Sequence, residues 1–393
     1  MHIALSDEQQ MLSDAVASFA ARSYSPGQRG AIKRAGGFSP EVWQTLAVEL
    51  GVLAIGIDEE AGGLAGGLIE AVLINREFGR CLLLEPYLEA VTYSGTLLKS
   101  TAGVRSSALQ QAIADGSVIV VPALAEDASH AASIVARPSN AGWVLDGRRD
   151  IVIGGGQADT LLLSASVDGT GETLLVAIAA DSPGVSTKSF QLIDGRSAAD
   201  VILRATPVPH SDIFLRGEEA DAAIETARNH AIVALGGTAI GVLETMVELT
   251  VDYAKQRRQF GQAIGSFQVL QHRMVDMHLE TEKVRSATFA VAATLGSDRI
   301  ADRKQTSLLK ALISNASRSV GESAIQVHGG IGTTDELFVS HHFRRSIVLR
   351  DEYGSRGYHL SRIASQQMAP QTADVATFTA ATMLTPDGLT SHA

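Results

Sequence analysis

Apolar residues in the first third of the chain recur at helical spacing. Ser6 with Gln9 three positions on forms a capping-box pattern, and Leu12, Val16 and Phe19 follow on one face. A second helix is punctuated by Ser39 as N-cap, Pro40 in the first turn, the stripe Val42, Leu46 and Leu50, and Gly51 as a stop. The glycine-rich run Glu59 to Gly67 reads as a loop, and further helices are predicted from about Leu68 to Phe78 and from about Ser106 to Ala114. From about Ser117 the period shortens. Runs rich in Val, Ile and Leu (118–121, 143–145, 151–153, 160–164, 173–178 and 201–203) alternate with turn pairs such as Asp168-Gly169 and Pro183-Gly184, which predicts a small antiparallel β region. After about Gly217 the pattern is helical again. Phe267, Leu270, Met274, Met277, Val284, Val291 and Leu295 hold a 3-4 spacing over roughly eight turns, and a stripe that long belongs to a helix bundle. Gly236, Gly237 and Gly241 on the preceding helix lower its propensity but let another backbone come close.

The expected fold is therefore α+β and predominantly α. A helical domain (1–116) is followed by a middle β domain (117–216), a C-terminal four-helix bundle (217–367) and a flexible tail (368–393) rich in Ala, Thr, Ser and Pro.

Composition narrows the function classes. A chain of 393 residues can bury a large core, and 45% hydrophobic with 19% charged residues sits with soluble globular proteins. A net charge of −11 argues against binding nucleic acid, whose affinity rests on clustered Lys and Arg. The single cysteine, Cys81, excludes an intramolecular disulfide framework and a Cys-rich zinc site, and reads as a small buried hydrophobe. His341 and His342 are adjacent and cannot both face one helical site, so no metal is expected. The N-terminus lacks a basic region followed by an apolar one, so a cytoplasmic location is expected. The apolar run Ala231 to Leu243 is too short for a membrane span.

Two segments in the last third carry chemistry. YAKQRRQFGQAIGSFQVLQH, Tyr253 to His272, combines a guanidinium, which supplies paired donors to phosphate, with a Phe face able to cover an apolar cofactor surface. QVHGGIGTTDE, Gln326 to Glu336, contains glycines that let a backbone press against a ligand. Both resemble segments of the acyl-CoA dehydrogenase family, and EEAGGLAGG, Glu59 to Gly67, resembles a third more weakly. The resemblance runs from about Ser6 to about Ala364. It implies that Arg257, Gln259 and Phe260 contact the FAD of a neighbouring subunit, and that Gln326, Gly329 and Gly330 line the same dinucleotide. It also implies α,β-dehydrogenation of an acyl-CoA thioester: a carboxylate takes the α-proton, hydride goes to flavin N5, and the electrons pass to an electron-transfer flavoprotein. Fatty acid or steroid side-chain degradation is the implied setting.

The chain departs from the family where the reaction occurs. Aligned on Gly354 and Ser355, the usual glutamate position is Tyr353, with Glu352 one residue early; the family's other base position is Ala231. Glu352 is the candidate base that remains. In the loop Ala123 to Ser133 only Glu126 and small residues match, the strand that normally holds a flavin-contacting Trp and Thr reads Ile151-Val152-Ile153, and the ARNHAI segment lacks the family's Asp and Arg. What matches is the part that reaches a neighbour's FAD. This pattern, with EPYLEAV at Glu85 to Val91, resembles the small-subunit branch of heteromeric acyl-CoA dehydrogenases, typified by pimeloyl-CoA dehydrogenase and actinobacterial steroid side-chain enzymes. Three expectations stand: an active dehydrogenase using Glu352 or another base, a non-catalytic subunit completing a partner's FAD site, and a helical scaffold binding neither ligand. The implied assembly is a homo-oligomer or a heterotetramer with a larger subunit.

Overall fold

In the computed structural model, residues 5–64, 66–125, 134–296 and 298–368 are described. The loop residues 126–133, including Glu126, and nearly all of the expected tail lie outside them. The N-terminal region is helical: α1 Asp7–Ser23, α2 Pro26–Arg34, α3 Pro40–Gln44, α4 Leu68–Cys81, α5 Gly95–Lys99 and α6 Val104–Ala114. The predicted caps form. Ser6 and Gln9 exchange backbone and side-chain hydrogen bonds, Ser39 Oγ accepts from Val42 N, and Gly51 takes a left-handed φ of 65°. Helix α2 is unpredicted, although Ser25 and Gln28 make the same capping box around Pro26. Also unpredicted is the wide helical turn Leu88–Ser94 leading into α5, all of whose residues are buried, so it shows no amphipathic period.

The middle sheet contains β1 Val120–Ala123, β2 Ile134–Ser139, β3 Gly142–Ile153, β4 Thr160–Val167, β5 Thr173–Ala179, β6 Val185–Gln191, β7 Ser197–Pro209 and β8 Ile213–Arg216. Its order is β6-β7-β3-β2-β4-β5-β8. Most pairings are antiparallel, but β1 and β2 lie end to end along one edge of β4, both parallel to it. The runs predicted at 143–145 and 151–153 are one strand, β3, bent by register shifts against β7. Strand β6 escaped prediction because its side chains are mostly exposed and show no apolar alternation.

The C-terminal helices are α7 Gly217–Gln256, α8 Gln268–Thr294, α9 Arg299–His328, α10 Phe338–Asp351 and α11 Arg356–Met368. By length and composition α7 could cross a membrane, which the shorter run Ala231 to Leu243 could not; 78% of its most apolar window is buried inside the fold, as in a core helix. Helix α4 crosses α7 at Gly237 and Gly241, while Gly236 faces Thr288 of α8. A Cβ on Gly237 would lie 2.4 Å from the Val72 carbonyl oxygen, and one on Gly241 would lie 1.9 Å from that of Arg76. Beside the crossing, Arg76 and Arg80 of α4 pair with Glu244 of α7 at 2.8 and 3.2 Å. Gly241→Ala is therefore expected to push the helices apart and destabilise by about 1–3 kcal/mol, read as a lower urea midpoint at unchanged m-value.

Candidate functional site

The far end of α7 brings the two motifs together. Arg257 follows the last turn of α7; residues 258–259 pair with 262–263 as a small hairpin, and Ile264 N donates to Arg257 O at 2.8 Å. The turn Gly329–Thr333 sits beside it, because Tyr253 stacks on His328 with ring centroids 4.4 Å apart and its hydroxyl donates to His328 O. A small separate apolar cluster of Ala254, Ile264 and Val327, with Phe267 and Met274 against it, fastens hairpin, α8 and α9 at this corner.

The side chains expected to meet a cofactor point outward. Arg257, Gln259 and Gln326 are exposed, and Phe260 is 91% exposed in a left-handed conformation, φ 53°. A large apolar ring so exposed marks a binding surface more readily than an element of the fold. Gly329 has φ 67°, and a Cβ at Gly329 or Gly330 would meet nothing within 4 Å, so that backbone faces open space. The Arg257 guanidinium has no ion pair among the described residues. An exposed guanidinium, an exposed aromatic face and an uncovered glycine turn fit the pyrophosphate and adenine of a dinucleotide.

The other end of the matched sequence is closed. Lys310 and Ser314 of α9 both donate to Arg350 O, at 3.0 and 2.8 Å, and so cap the end of α10 just before Glu352. Glu352 is 5% exposed at its side chain. Its Oε1 accepts from Arg196 at 2.9 Å, and its Oε2 accepts from Arg196 at 3.1 Å and from Arg345 at 2.6 Å. Asp194 pairs with Arg196 at 2.9 Å and Glu89 with it at 3.3 Å. Burial alone would raise the Glu352 pKa, but the Arg196 and Arg345 guanidiniums outweigh it and bring it down to about 2. A carboxylate stabilised in its charged form is a poor proton acceptor, and both of its oxygens are engaged. This geometry goes against the base role expected of Glu352: the side chain joins α10 to the β6–β7 turn. Burial pushes the pKa of Glu89 the other way, upward.

Neither usual base position supplies a carboxylate. Ala231 is fully buried on α7. Tyr353 is half-buried with φ 57°, packs edge-on to Tyr93 at 5.6 Å, and its buried hydroxyl has no hydrogen-bond partner among the described residues. Burial, and then the charges of Glu89 and Glu352, push its phenol well above the ordinary value, so it stays neutral. At the strand where the family keeps its flavin-contacting Trp, Ile151 is 57% exposed and left-handed at a register shift. The sequence reading missed Arg196, Arg345, Asp194 and Glu89. They come from three distant segments, and no local spacing signals a buried ion-pair network.

The two regions are far apart. Ala231 and Arg257 lie 26 positions apart on and just past one helix, so about 40 Å of helix separates them. The Arg257 corner is thus remote from this chain's own base region.

A helical, sheet and helical-bundle chain with a dinucleotide-type corner at the end of its longest helix belongs to the flavoprotein oxidoreductase class. Family models for the acyl-CoA dehydrogenase N-terminal domain and C-terminal domain match residues 6–98 and 221–368. The chain belongs to the acyl-CoA dehydrogenase family. It is 27% identical over 344 residues to the acyl-CoA dehydrogenase IpdE2 of Mycolicibacterium smegmatis, covering 87% of this chain and 93% of that protein. It is 26% identical over 309 residues to the human mitochondrial short-chain specific acyl-CoA dehydrogenase, covering 75% and 74%. A chain of the ChsE4-ChsE5 complex from Mycobacterium tuberculosis has the same fold: TM-score 0.85 at 23% identity, over 93% of this chain and 99% of that one.

Proposed function

We propose that this chain is the subunit of a heteromeric acyl-CoA dehydrogenase that completes a partner's FAD site, the partner supplying the catalytic carboxylate. The single observation that carries this reading is the separation of an open dinucleotide corner at Arg257, Phe260 and Gly329 from a base region occupied by Ala231 and Tyr353. When bound, FAD accepts the β-hydrogen of the acyl-CoA as hydride. Arg257 would bind the pyrophosphate through its paired donors, Phe260 would shield the adenine side from water, and Gln326, Gly329 and Gly330 would hold the dinucleotide through amide and backbone contacts. Gln259 would stiffen the hairpin that presents Phe260. The long, largely exposed face of α8, with Val269 at 69% and Leu279 at 50% exposure, supports burial against another subunit. The FAD, the acyl-CoA and an electron-transfer flavoprotein would then be partners of the assembly.

The test is expression of the full chain alone and together with a larger homologue that has an intact base. The expected result is colourless protein alone, and a yellow complex that oxidises an acyl-CoA when the two are co-purified. A yellow homo-oligomer that dehydrogenates an acyl-CoA unaided would overturn the proposal in favour of a self-sufficient enzyme. Absence of flavin under both conditions would leave a helical scaffold.

A further inference from the structure

The turn Gly329–Thr333 runs into a short segment that leads to α10, and His341, near the start of that helix, reaches back to it. His341 Nε2 lies 3.2 Å from Asp335 O, and its Nδ1 lies 3.5 Å from Arg29 Nη1 of α2. These two partners settle the form of the ring. A carbonyl oxygen only accepts and a guanidinium only donates, so Nε2 carries the hydrogen, Nδ1 accepts, and the imidazole is neutral.

Arg29 is a fixed anchor. It is buried, its Nε donates to Leu82 O at 2.8 Å, and its Nη2 donates to Asp194 O at 2.6 Å. Through Arg29, His341 joins the segment after the glycine turn to the chain just past α4 and to the β6–β7 turn. Asp335 is also held by an ion pair of its carboxylate with Arg344, but that carboxylate is 71% exposed, so the pair holds weakly. The charges around the ring oppose a second cation there. Arg29 of α2 and Arg344 of α10 are both positive, Lys33 of α2 acts on Asp335, and the adjacent His342 is kept neutral by burial, at about 4; the Asp335 carboxylate favours a proton on the ring. Burial first, and then Arg29 and Arg344, hold the His341 imidazole below its ordinary value of 6.5, against the carbonyl and carboxylate of Asp335. The contribution of the neutral ring is therefore present in full above about pH 6.5 and is lost as pH falls below it.

We propose that His341 is a positioning residue that latches the glycine turn: its neutral ring bridges Asp335 to Arg29, and a proton on Nδ1 breaks the bridge and frees the turn. Once protonated, Nδ1 is a donor facing a donor, and the ring is a third cation beside Arg29 and Arg344. Arg29 is held by Leu82 O and Asp194 O and cannot follow, so the ring moves away and gives up its hold on Asp335. The consequence for the site, which rests on the reading that the Arg257 corner holds a partner's FAD, is that mild acid loosens the flavin.

Hydrogen exchange of the peptide spanning 329–336, corrected for the intrinsic pH dependence of exchange, reads the latch in the full chain without flavin. The expected result is exchange about fivefold faster at about pH 5 than at about pH 7.5 in wild type, with no difference in His341→Gln. The Gln amide keeps one donor and one acceptor and takes no proton. His341→Arg carries a fixed charge and should exchange at the faster rate at both pH values. In the co-purified assembly, wild type should lose flavin on dialysis at about pH 5 while His341→Gln retains it. Wild-type exchange that is indifferent to pH would overturn the proposal whatever the variants do, and so would the same pH dependence in His341→Gln. Acid opening of the turn that depends on His341 but leaves wild-type flavin in place would support the latch and sink the FAD reading of this turn.

Discussion

Arg257→Ala is expected to strip flavin from the co-purified assembly while leaving this chain folded. Its side chain is exposed and makes no ion pair among the described residues, so its removal costs the fold almost nothing. A lost charge-assisted contact to phosphate is worth about 1.5–3 kcal/mol, or roughly ten- to hundredfold in FAD affinity. Phe260→Ala should act in the same direction, because the ring is 91% exposed and shields no core of its own. The measurement is flavin per assembly after dialysis, alongside the thermal midpoint of the isolated chain. Full flavin retention in the double variant would show that the corner does not touch FAD.

Glu352→Gln is expected to lower stability by about 3 kcal/mol and leave the turnover of the assembled enzyme unchanged, because removing one partner of a buried ion pair leaves the other charges uncompensated. The pH dependence follows from the depressed pKa. The carboxylate has an ordinary value of 4.5 and is brought down to about 2 in the fold by Arg196 and Arg345, against the effect of burial. Its stabilising contribution is therefore fully present above about pH 4.5 and is lost as pH falls toward about 2. Wild type and Glu352→Gln should differ most near neutrality and converge in acid, as read from urea unfolding at a series of pH values. A variant that is as stable as wild type but inactive in the assembly would make Glu352 the base after all.

The same residue shows how far one-dimensional reading goes. Glu352 stands next to the usual base position, so the sequence nominated it. In the fold its carboxylate pairs with Arg196, 156 positions earlier, in a turn between two strands. Charge partners brought together from that distance leave no spacing to read. The opposite holds at the other end of α7. Arg257, Phe260 and Gly329 were nominated from motifs, and the fold gathers them into one corner because Tyr253 and His328 stack across the gap. The missed strands have a plain cause as well. Strand β6 is solvated on both faces, and the helical turn Leu88–Ser94 is buried all round, so neither displays a period.

Local letters suffice for the caps at Ser6 and Ser39, the stop at Gly51, the long stripe of α8 and the order of helical, sheet and bundle segments, because these depend on residues within a few positions of one another. They also suffice for the absence of a carboxylate at positions 231 and 353. Only the folded chain decides that Glu352 is sequestered by two arginines, that Tyr353 is held neutral beside Tyr93, and that about 40 Å of helix separates this region from the Arg257 corner. Those facts rest on burial and on pairing between distant segments, and both are properties of packing in three dimensions.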